Sequence, residues 1–289
     1  MGCSTSVPAA VEERTLTSRA VAKTADNNYS WQDSELLVPH EPIRRELLYV
    51  ARALDLLDLF VNPWHIKVLY KYLSEFFVPS VHFHHDNEEE ILGPYYEKLG
   101  EKADYGKSVD HKTLLDTMDS YLIEVKSVLD LVATEKASET DLRTKESELK
   151  SRWAALSELM LVHLAEEEDY WPAVYLRSGQ KHAKAVLQLI LKKDFALKGA
   201  EAIAANAFAG AVMDAIGPLR SRYAAYKYTT PAHGLSLGPW ASPEMGADFM
   251  QGVPFLPRTL ILPMFHKTYI TKWRRQIESI GGQDNPLIE

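Results

Sequence analysis

Residues 82–94 read HFHHDNEEEILGP, which sets three histidines and three glutamates inside a stretch with helical periodicity. The apolar residues around it are Ile66, Tyr70, Leu73, Phe77 and Val81 upstream and Leu92 and Tyr96 downstream. They recur at steps of three and four, the spacing of one helix face. His85 and Glu89 fall on the same stripe. Ionisable side chains in a buried seam need partners, because an unpaired charge in an apolar interior is costly.

Three further helical patterns carry histidines in their stripes. One runs His40, Ile43, Leu47, Val50, Leu54, Leu57; another His111, Leu115, Met118, Leu122, Val125, Leu129, Val132. The last is Leu149, Trp153, Leu156, Met160, His163, Glu167, Tyr170, Val174, opened by the capping box Ser138-Glu139-Thr140-Asp141 and closed by Ser178-Gly179. Four amphipathic helices joined by short loops predict an all-α fold, an up-down-up-down four-helix bundle. The bundle is expected over residues 36–178. A flexible, Ser/Thr-rich leader precedes it at 1–35, and a mostly helical extension packs on it at 179–289. That extension includes a small-residue stripe at Ala200, Ala204, Ala207, Gly210 and Ala211, which suits close packing, and a Pro/Gly-rich stretch over 229–263.

The polar members of the four stripes are His40, His85, Glu89, His111, His163 and Glu167. His40 and His111 open their helices, whereas His85 and His163 lie late in theirs, so alternating helix directions bring all six to one layer. The second and fourth helices also repeat a pattern. HxxxEE is followed by a proline nine residues after the histidine, at Pro94 and Pro172. With no arginine or lysine in the stripes, two bridged cations satisfy all six side chains. The alternative is a hydrogen-bonded His–Glu cluster. Imidazole and carboxylate without thiolate suit iron, with manganese or zinc less favoured, and leave open positions for a small ligand. Two iron ions are therefore expected, with dioxygen, nitric oxide or peroxide as the ligand.

Neighbouring polar residues carry weaker signals. His82 lies one turn before His85 and reads as a spare at most. His84, Glu88 and Glu90 read as solvated or supporting. His65, His182, His233 and His266, which have no carboxylate at helical spacing, read as surface or capping residues. Gly234–Gly238 matches G-x-S-x-G, but in a helical chain it has none of the strand-to-helix context that gives that motif meaning.

The order H…HxxxE…H…HxxxE, with His40 in HEPIRREL, His85 in HHDNEEEILGP, His111 in DHKTLLDTM and His163 in HLAEEEDYWP, resembles the hemerythrin-like (HHE cation-binding) family across residues 36–178. The resemblance implies a carboxylate-bridged, non-haem di-iron centre that binds oxygen, senses iron or oxygen, handles nitric oxide or stores metal. Oxygen-carrying members place HxxxH on the third helix, where this chain has Leu115, and end with an aspartate where it has Glu167. The missing fifth histidine leaves reversible oxygen carriage unsupported. A binding or sensing role is expected ahead of an enzymatic one. The alternatives are a di-iron oxidase, ferroxidase or peroxide-consuming enzyme, or an iron-storage or membrane-tethered helical scaffold.

The net charge of −8 argues against nucleic acid as a partner, and the single cysteine, Cys3, fits a reducing compartment. Met1 to Ser6 matches the N-myristoylation pattern, with Gly2 as acceptor and Cys3 as a second lipidation point. A cytoplasmic protein tethered to a membrane surface is the resulting expectation.

Overall fold

The computed structural model describes residues 30–102, 110–194, 196–216 and 257–281. Gly2, Cys3, His233 and the G-x-S-x-G stretch lie outside them. Among the described residues the chain is all-α, without strands. The helices are α1 (Trp31–Asp55), α2 (residues 64–97), α3 (His111–Ala133), α4 (Glu139–Ser178), α5 (Gln180–Asp194), α6 (Gly199–Ile216) and α7 (residues 257–281).

Local chemistry sets the ends. α1 starts at Trp31, inside the span expected to be leader, because Asp33 accepts hydrogen bonds from both the Ser30 amide and its hydroxyl (3.0 and 2.8 Å). Asp110 caps α3 by accepting from Thr113 N at 2.7 Å, so His111 is the first helical residue. Ser138 and Asp141 form the expected box at α4, and Gly179 leaves it at φ +91°, a conformation that favours glycine. α2 is not uniform. It widens to π turns at Leu73–Phe77 and at Glu88–Leu92.

The core takes in more than four helices. The nearest backbone neighbours of α1 are α4 and α6, while those of α2 are α3 and α6, so α6 stands against both. Its Ala207, Phe208, Ala211 and Val212 share one apolar cluster with Leu47 of α1, Phe76 of α2, Met118 of α3 and Trp153 of α4. α7 adds Tyr269, Trp273 and Ile277 to the same cluster. A polar clasp ties it down, in which the buried Glu46 carboxyl accepts the Tyr72 and Tyr269 hydroxyls. Burial pushes that carboxyl up to about 7.

At Gly210 α6 meets α7 so closely that a Cβ would lie 2.4 Å from the Phe265 carbonyl oxygen and 2.6 Å from Tyr269 Cβ. Backbone cannot step aside as a flexible side chain would. Gly210→Ala should therefore destabilise the protein by about 1–3 kcal/mol through overpacking, despite alanine's better helix propensity. Urea unfolding checks this, and an unchanged midpoint would contradict the close approach.

Candidate metal centre

Five imidazoles meet at one level of the helices. Ring centroids are 5.2 Å apart for His40–His84, 5.0 Å for His84–His85, 4.8 Å for His85–His111 and 4.7 Å for His111–His163. Two carboxylates lie among them. Glu167 approaches His40 Nε2 (3.4 Å), His111 Nε2 (3.2 Å) and His163 Nε2 (3.4 Å). Glu88 approaches His84 Nε2 (3.3 Å), His111 Nε2 (3.7 Å) and His40 Nε2 (3.9 Å). The side chains form two sets whose donor atoms all lie within 4.8 Å of one another: His85, Glu88, His111, His163 and His40, His84, Glu88, Glu167. All seven residues are buried. These buried His and Glu groups could hold a metal ion.

Of the six residues expected from sequence, His40, His85, His111, His163 and Glu167 come together, and Glu89 does not join them. Its side chain is 59 % exposed and meets only the outer edge of the cluster, with Oε1 2.5 Å from His111 Nδ1. Glu88 and His84 occupy the interior instead. The physical reason is the direction of the seam. His84 and His85 are both buried, so the inward axis passes between them. At roughly 100° per residue, Glu88 then points within about 10° of that axis and Glu89 about 90° to the side.

The repeat is consequently His84xxxGlu88 with His163xxxGlu167. Aligning the two on their prolines is one residue out, because Pro94 follows Glu88 by six and Pro172 follows Glu167 by five. The π turn Glu88–Leu92 takes up the extra residue. Two adjacent histidines, each with a glutamate at helical spacing, were the signal in the sequence.

Around the cluster, outward ring nitrogens have anchors that aim the inward ones. His85 Nδ1 lies 2.8 Å from the Val81 carbonyl oxygen, which suits an N–H donor there and leaves Nε2 facing the cluster. His40 Nδ1 lies 2.9 Å from Glu168 Oε1, and Arg44 donates to the same oxygen at 2.5 Å. Arg44 and Glu168 escaped the sequence reading, which found no cation in the seams. Arg44 is buried one turn beyond His40 and neutralises Glu168.

Protons are distributed unequally over the cluster. Burial lowers the His85 imidazole to about 3, aided by repulsion from His111 and His163, so it is neutral and competent as a ligand. Burial likewise holds His84 well below the ordinary histidine range, with His85 and His40 adding to the effect. Burial would also lower His40, but hydrogen bonds with Glu167, Glu168 and Glu88 outweigh it and keep that imidazole protonated. Burial and then the Glu167 charge push Glu88 up to about 7. Glu167 is drawn well below the ordinary range, against its burial, by His111 and His40. Among the described residues His85 Nε2 and Glu88 Oε2 are buried without a hydrogen-bond partner. Such atoms fit a cation better than a closed hydrogen-bonded cluster.

The other described histidines have partners outside the cluster. His82, a third exposed, pairs with Asp119 at 2.9 Å. His182 meets the Tyr95 hydroxyl. His65 and His266 are buried rather than superficial, for they find partners far from helical spacing: the Asp58 amide for His65 and the Asp214 carboxylate for His266. No helix among the described residues is long and apolar enough to cross a membrane. No family model, curated protein or solved structure matches this chain.

Replacing Glu88 by Gln should remove most bound metal. Glu89→Gln should keep the stoichiometry and weaken affinity by about 10–100-fold, the usual cost of losing an outer partner. Metal analysis after equilibrium dialysis separates the two, and equal losses would reject the assignment of Glu88. Cation binding must also displace the protons on Glu88 and His40. Affinity should therefore fall steadily as pH drops below about 7, by up to roughly tenfold per unit for each displaced proton. Calorimetric titration with Zn²⁺ between pH 6 and pH 8, in buffers of different ionisation enthalpy, reads both the affinity and the proton release.

Proposed function

We propose that this chain is a hemerythrin-like protein that holds two bridged iron ions among α1 to α4, running up-down-up-down, and binds or senses dioxygen, nitric oxide or iron there. One observation carries this reading: two carboxylates lie between a set of three imidazoles and a set of two. His85, His111 and His163 would hold one cation and His40 and His84 the other, with Glu88 and Glu167 in reach of both sets. Five nitrogens and four carboxylate oxygens do not saturate two six-coordinate ions, so positions remain for solvent and one small ligand. Bound iron would supply redox-active, open coordination positions. The chain's own residues supply the rest: Glu168, Val81 and Glu89 aim the imidazoles, and the apolar core excludes bulk water.

The fifth imidazole comes from His84 on α2, not from an HxxxH pair on α3. With that count, Leu115 on α3 no longer weighs against reversible oxygen binding. Residues 1–6 add a proposal of acylation at Gly2 and Cys3, which would tether the protein to a cytoplasmic membrane face.

Anaerobic Fe(II) loading followed by metal analysis and optical spectroscopy tests the reading. About two irons per chain are expected, with an oxygen-dependent absorption band that disappears under vacuum. Irreversible oxidation with turnover would move the assignment to an oxidase. Less than one iron per chain would reject a di-iron centre.

A further inference from the structure

A cavity of about 210 Å³ lies directly beside the cluster, with His84 and Glu88 in its wall. The remaining wall is mostly apolar: Leu36 and Val38 from α1, Leu92 from α2, Val186 from α5, and Phe208 and Val212 from α6. A single water, or a diatomic gas of similar size, takes roughly 30 Å³, and an apolar void of about 150 Å³ is enough to stay dry and bind benzene. The chamber is thus several times larger than the small ligands of the proposed centre would need. An organic molecule of that size would fill it.

The polar groups of the wall restrict which one. Among the described lining residues there is no lysine or arginine, while Glu35, Glu88 and Asp194 all bring carboxyl groups. An organic anion such as a carboxylate would find no countercharge among these residues. The Asn87 and Asp194 side chains hydrogen-bond to each other, which leaves Asn87 Oδ1 and Asp194 Oδ1 buried without a partner among the described residues. Both are acceptors, so they ask for an N–H or O–H donor on an otherwise apolar body.

We propose that this cavity is a binding site for an uncharged, compact apolar molecule, of the size of one or two fused rings, carrying a single hydrogen-bond donor. It presents that molecule against His84 and Glu88. Occupancy of the cavity does not require a cation; its meaning as the substrate or effector chamber of the metal centre rests on the function proposed above.

The test uses the full chain, once dialysed free of metal and once loaded with Fe(II) under anaerobic conditions. Indole, phenol and benzoate serve as probes, followed by calorimetry and by ligand-observed NMR. Indole and phenol should bind both forms with Kd below about 1 mM, and benzoate at least tenfold more weakly. Ala209→Phe fills the chamber from α6 and should weaken indole by tenfold or more at unchanged metal content. Leu187→Trp, on the half-buried face of α5, should do the same if the first variant does not fold. Binding of none of the probes, binding unaffected by either filling variant, or benzoate binding as tightly as indole would overturn the proposal. A chain that binds indole but takes up no iron would keep the cavity site and reject the metal centre. One that takes up iron but no aromatic would do the reverse.

Discussion

Two carboxylates, Glu88 and Glu167, lie in the apolar interior of a helical protein with histidines for neighbours, and most of the surrounding architecture answers the cost of having them there. Within the chain the countercharge comes from protons. His40 carries one, and the Glu88 carboxyl is pushed up to about 7. Glu168 would add a third buried carboxylate, and Arg44 cancels it. The anchors on His40 and His85 make sense in the same terms, because an imidazole fixed at its outer nitrogen offers a lone pair inward without paying further ordering entropy. A cation would take the place of the protons and leave the framework as it is.

Much of this was legible in the sequence. The stripes Ile43, Leu47, Val50, Leu54 and Leu149, Trp153, Leu156, Met160 are buried as their periodicity requires, and four histidines in four stripes meet in one layer. The misses have physical causes. In α3 the buried line is Leu114, Met118, Tyr121, Val125 and Val128, so half of the expected stripe is one position late. A helix with apolar residues at both i and i+1 fixes its inward axis only to within about half a residue step. The same ambiguity at His84 and His85 exchanged Glu88 for Glu89. The small-residue stripe of α6 pointed to close packing, but a helix of alanines shows almost no amphipathic contrast, so its partner at Gly210, the tertiary crossing with α7, could not be read from periodicity. His266 and Asp214, whose pairing spans 52 residues, were beyond local reasoning for the same reason.

The proposed centre and the proposed chamber share residues but draw on different parts of the chain. His40, His85, His111 and His163 come from α1 to α4, whereas Val186, Phe208 and Val212 come from helices after residue 179. His84 and Glu88 belong to both. On that reading the later helices would contribute to the chemistry without a ligand of their own, by shaping what stands next to His84 and Glu88.

The π turn at Glu88–Leu92 bears on how such a helix can change its length. An extra residue in an ordinary α-helix rotates everything beyond it by about 100°. Here that would swing Leu92 and Tyr96 away from Leu36, Trp171 and Tyr175, with which they form the second apolar cluster. A widened turn confines the rotation to itself, so the His/Glu cluster upstream and the packing downstream keep separate registers. The two halves of α2 are thereby decoupled: the span between the ligands and Pro94 can gain or lose one residue at this turn, and counting residues from one end of the helix does not locate the other.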